Sequence, residues 1–88
     1  MAIDFSTVKV GDLLAVQPCD VPTKLFLERQ GYTVGQTVQI IEISEPIVTF
    51  NPRIGGDETH LHILVTNGNR PLDFGVRASE GYTSIYFA

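Results

Sequence analysis

The segment "GGDETHLHI", residues 55 to 63, holds the residue types that come nearest to chemistry in this chain. On an extended strand alternate side chains share a face, so Glu58, His60 and His62 point one way while Leu61 and Ile63 point the other. Two histidines in an H-x-H pair beside a carboxylate form a donor set that Zn²⁺ or Fe²⁺ accepts. The same alternation is what a half-buried strand shows when its polar side faces water. Two imidazoles and one carboxylate also leave a site open and poorly enclosed, so no tight metal centre is expected of them, and Asp57 adds a ligand only where its loop folds back.

The other reactive types are less organised. Cys19 is the single cysteine. It needs an activating base to act as a nucleophile, and neither histidine is near it in sequence, so it reads as a small residue packed beside a strand end. "GGDE" lacks the lysine and following helix of a phosphate-binding loop. Glu58, Asp73 and Glu80 have no spacing that pairs them for acid–base work. The expectation is a non-enzymatic protein without a cofactor.

The elements that position these residues are short. At 88 residues, 43% hydrophobic and 18% charged, the chain has the composition of one small globular domain. Six basic residues against ten acidic ones give a net charge of −4, and the six are scattered, which argues against a nucleic-acid partner. A lone cysteine fits a reducing compartment. The start "MAIDFSTVKV" has no secretory pattern, and no run approaches the roughly 20 apolar residues that cross a bilayer. A cytoplasmic protein without direct membrane insertion is expected.

Gly-Asp at 11–12 and Pro18 bracket a first strand through Leu13, Leu14 and Val16. Asp20 is placed to cap a short helix with Pro22 in its first turn, and Gly31 is placed to end it. Gly35 then supplies a tight turn into the β-branched strand Thr37–Ile43, whose imperfect alternation allows a bulge or burial on both faces. "PIVTF" and "THLHILV" form a hairpin around "NPRIGGDE". Asn67-Gly68 turns the chain into "PLDFGV", and after a turn at "RASEG" comes a closing strand, "TSIYFA". Five or six short strands and one helix are most economically arranged as a small, partly closed β-barrel, which hides strand edges.

Leu27, Gly31, Gly35 and Val38 match a leucine-bearing helix followed by G-x-x-x-G-x-x-V. Pro46 and Ile47 match a P-I hairpin, and Leu72, Phe74, Glu80, Ile85 and Phe87 match an apolar strand, an acidic turn and an I-x-[VF] ending. In this order they resemble the ferrous-iron transport protein A family, FeoA, from Gly11 onward. Gln30 and Val34 depart from the leucine and proline usual there, and residues 51 to 58 read as an expanded hairpin loop. The resemblance implies an SH3-like barrel, mainly β with one short α-helix. It also implies an accessory role, binding the cytoplasmic part of a membrane ferrous-iron transporter that carries a GTPase domain. The contact residues it points to lie on the helix and its exit: Leu25, Phe26 and Tyr32. Of these, Leu25, like Leu27, is of a type that on so short a helix usually packs into the core, and Phe26 and Tyr32 are the better contacts. The alternative class is an SH3-like adaptor or inhibitor of another protein, unrelated to iron; a small metal-dependent enzyme using His60 and His62 stands behind both.

Overall fold

Asp20 and Gly31 bound the only α-helix among residues 3–88, the residues that this computed structural model describes. The chain runs β1 (Leu13–Ala15), α1 (Val21–Arg29), β2 (Thr37–Ile43), β3 (Ile47–Asn51), β4 (Gly56–Thr66) and β5 (Pro71–Arg77), then a 3₁₀ turn at Ala78–Glu80. The Asp20 carboxylate accepts the Thr23 N–H at 2.9 Å, satisfying a donor that has no partner inside the helix. The Thr23 hydroxyl first, and then this Thr23 N–H bond, hold the Asp20 carboxyl below its ordinary pKa. At the other end Gly31 has φ +89°, donating to the Glu28 carbonyl at 3.1 Å, while Tyr32 N–H reaches the Leu27 carbonyl at 2.9 Å. This pair of bonds is a Schellman ending, and it carries Tyr32 back over Leu27, both buried. Gly35, at φ +84°, donates to Val16 at 2.8 Å, and Val16 donates to Gln36 at 2.9 Å, so the turn is tied to the end of β1 before β2 begins.

β4 organises the sheet. Its residues His60 and Ile63 each have partners on both sides: His60 pairs Ile47 and Arg77, and Ile63 pairs Ile43 and Phe74. β2 and β3 therefore follow one another along one edge of β4, and β5 occupies the other. Ser44 bridges the break between β2 and β3, donating its N–H to the His62 carbonyl and accepting the His62 N–H on its hydroxyl, each at 2.9 Å. A register shift between Ile40 and Glu42 is the irregularity that the β2 pattern allowed. β1 pairs with β2, and the C-terminal segment returns onto β1 through the Val16–Phe87 bridge and mutual bonds between Ala15 and Ala88.

The result is mainly β with one helix, and its five-stranded antiparallel sheet is not closed. Leu72, Phe74 and Val76 alternate inward along β5, facing Ile63 and Val65 of β4. Phe74 forms the aromatic centre, its ring 5.3 Å from Phe5 and 5.0 Å from Phe87. No helix among the described residues is long and apolar enough to cross a membrane.

Two expectations about packing need correction. Cys19 is exposed rather than packed, because it lies past Pro18 in the link to α1, outside the curl of the sheet. Leu25 is 48% exposed rather than core. The nine-residue helix buries only Thr23 and Leu27, which stand one turn apart, and Leu25 sits two residues from each, about 200° round the axis.

Candidate functional site

Strand alternation does bring Glu58, His60 and His62 to one side of β4. They line a shallow groove of about 630 Å³ with Thr49 and Asn51 of β3 and Gly75 and Arg77 of β5. The two imidazoles meet edge to face, with ring centres 5.4 Å apart and planes at 71°. Gly75 pairs with His62 across the sheet, and without a side chain there the groove stays open.

Glu58 is differently employed from its neighbours. It is buried, and its carboxylate accepts hydrogen bonds from Ser79 Oγ and, at 2.5 Å, from Asn51 Nδ2. The Ser79 bond, then the Asn51 bond, hold its pKa below the ordinary carboxylate value, and Arg77 adds a smaller attraction in the same direction. Its lone pairs thus tie the end of β3 and the turn after β5 to the start of β4. His62 Nδ1 lies 3.4 Å from an Asp73 oxygen, both side chains half in water. Among the described residues no three His, Cys, Asp or Glu side chains converge as a metal-ligand set. Asn51 and Ser79 stand 7 and 21 residues from Glu58 in sequence. The one signal for them was a carboxylate on a strand that has to be buried, which requires donors from somewhere.

The helix and its exit form a second region. Of the three contact residues expected there, Leu25 alone presents its side chain freely. Phe26 is half-buried, its ring 5.7 Å from that of Tyr86. Tyr32, expected at the surface, is 2% exposed, and its hydroxyl donates to the Arg70 carbonyl. The Schellman turn directs it inward, and burial pushes its phenol pKa up. Two further apolar residues are exposed on the helix and its exit: Val21, one helical turn before Leu25 and 66% exposed, and Val34 at the exit turn, 47% exposed. Val21 and Val34 both line a hollow of about 510 Å³, together with Gln17, Pro18, Asp20, Lys24 and Gly35. The spacing of Val21 to Leu25 was legible in the sequence; the approach of Val34 was not, since it depends on how the Gly35 turn docks on Val16.

No family model, curated protein or solved structure matches this chain.

Proposed function

We propose that the chain is a non-enzymatic protein-binding module whose contact surface is the apolar patch of Val21, Leu25 and Val34. The observation that carries this reading is the patch itself: Val21 and Val34 stand in water on the wall of a mainly apolar hollow, and Leu25 stands exposed one helical turn from Val21, beside a sheet whose core is already filled. Rims of opposite charge flank it, Lys24 and Glu28 lying 3.9 Å apart on the same helix. An apolar centre with a polar rim is the anatomy of a protein contact.

The partner that the FeoA resemblance implies is the cytoplasmic part of a membrane ferrous-iron transporter with a GTPase domain, and a cytoplasmic accessory role in iron uptake follows from it. Leu25 stays in this surface, joined by Val21 and Val34; Phe26, half-buried against Tyr86, and Tyr32, buried in the core, leave it. The test is capture of such a transporter by the immobilised chain, compared with a Val21→Ser/Leu25→Ser variant checked for an unchanged melting temperature. Capture reduced at least tenfold by the variant is the expected result. Capture unaffected by it removes the patch. Absence of capture by the unaltered chain removes the transporter and leaves the reading of an adaptor or inhibitor acting on a different protein.

A further inference from the structure

Like β5 on the other side of the sheet, β3 pairs with β4 alone among the described strands, so its outer edge has no strand neighbour. Its side chains are also the most exposed of any strand, with Val48 at 61% and Phe50 at 66%. Natural edge strands are ordinarily blunted by charge, by an internal proline or by a bulge. Ile47-Val48-Thr49-Phe50-Asn51 carries none of these, and its ladder to β4 runs unbroken through all five residues. Pro46 and Pro52 fall just outside it.

We infer that β3 pairs antiparallel with β3 of a second copy of this chain, in the register centred on Thr49. In that register Val48 of each copy lies opposite Phe50 of the other, and Thr49 lies opposite its own counterpart. An aromatic against a β-branched residue, twice, and a threonine pair are among the cross-strand combinations that stabilise antiparallel sheets. The backbone agrees. Residues of equal parity face each other, so the N–H and C=O groups that point away from β4 in one copy meet those of the other. Such a two-fold contact is self-complementary and closes on itself, because the flanking prolines, lacking N–H groups, stop the ladder after five residues.

Charge favours the same choice of surface. Two copies of a −4 chain repel in general, yet this strand is uncharged: Asp57 and Glu58 stand on β4 one strand behind it, and Glu45 precedes it beyond Pro46. A foreign strand would need no such internal match between positions 48 and 50, and that match is what singles out a second copy. So small a contact lies below the roughly 1,200 Å² of a stable complex, so the dimer is weak, with a Kd on the order of 100 μM.

Sedimentation velocity from about 10 μM to about 1 mM should show a concentration-dependent monomer–dimer equilibrium in that range. Phe50→Glu or Val48→Lys alone should weaken it at least tenfold, and the Val48→Lys/Phe50→Glu double variant should restore it by setting opposite charges across the two-fold. In a Cys19→Ser background, Thr49→Cys should form an intermolecular disulfide on mild oxidation. Val48→Cys should not, since in this register the two copies of residue 48 lie about 8 Å apart, beyond disulfide reach. A monomer throughout the range, or a dimer indifferent to both single charged variants, overturns the inference; the first leaves the edge open to a strand from another protein. Cross-linking at 48 in preference to 49 overturns the register. Should a charged variant unfold, the comparison of the two cysteine variants still decides.

Discussion

Gly31 and Gly35 share a left-handed backbone but differ in what surrounds them, and alanine at each position separates the two effects. Both have φ near +85 to +90°, at +89° and +84°. An L side chain in that region costs about 1 kcal/mol or more relative to glycine, after the smaller gain from a stiffer unfolded chain. At Gly35 an added Cβ meets nothing within 4 Å, so Gly35→Ala measures the backbone cost alone. At Gly31 it meets Arg70 Cδ at 3.1 Å, close enough that the arginine stem must give way by a few tenths of an ångström. That displacement adds roughly 0.5 kcal/mol, the arginine being long and flexible. In a domain of this size 1 kcal/mol moves Tm by roughly 4–8 °C. Gly35→Ala should therefore lower Tm by about 5 °C and Gly31→Ala by about 8 °C. In an Arg70→Ala background, which leaves the Arg70 carbonyl in place for Tyr32, the cost of Gly31→Ala should fall to that of Gly35→Ala. Calorimetry, with urea titrations to show an unchanged m-value, reads all of these. An unmoved Tm for Gly35→Ala would refute the positive-φ assignment. A Gly31 penalty undiminished without the arginine side chain would refute the steric part.

Tyr32→Phe removes the shorter of the two hydrogen bonds to the Arg70 carbonyl, leaving only the longer one from Thr66 Oγ1, and should cost about 1 kcal/mol, whereas the exposed Leu25→Ser should change stability by less than about 0.5 kcal/mol. Equal losses in thermal melts would contradict the burial described here. Glu58 has a folded pKa below its ordinary 4.5, so its contribution is complete above that value and is lost as pH falls through the lower, folded one. The Tm curves of the unaltered protein and of Glu58→Gln should run parallel from neutral pH down to about 5 and converge below about 4.5; parallel curves down to pH 2 would count against the Ser79 and Asn51 bonds. Calorimetric titration with Zn²⁺ should show no tight, stoichiometric binding. One equivalent held firmly and released by the His60→Ala/His62→Ala variant would restore the metal reading of the groove.

Chain-local physics made much of this fold legible in advance. The Asp20 cap, the Gly31 ending and the Gly35 turn follow from which residues tolerate a given φ or can satisfy a free N–H, and such choices are settled within four or five residues. The inward run Leu72, Phe74, Val76 and the shared side of Glu58, His60 and His62 follow from the period-two geometry of a strand. Tertiary structure decided what alternation and capping leave undetermined. A helix of nine residues can bury either of two stripes, and docking on the sheet chose Thr23 and Leu27, leaving Leu25 in water. Tyr32, turned inward by the Schellman ending, has its hydroxyl satisfied there by the Arg70 carbonyl, 38 residues away. Glu58 became a clamp because Asn51 at the end of β3 and Ser79 in the turn after β5 arrived beside it, and β3 became an edge because no described strand came to pair its side away from β4. Each of these depends on a neighbour distant in sequence, and a side chain's own type and spacing carry no record of which neighbour the folded chain will bring to it.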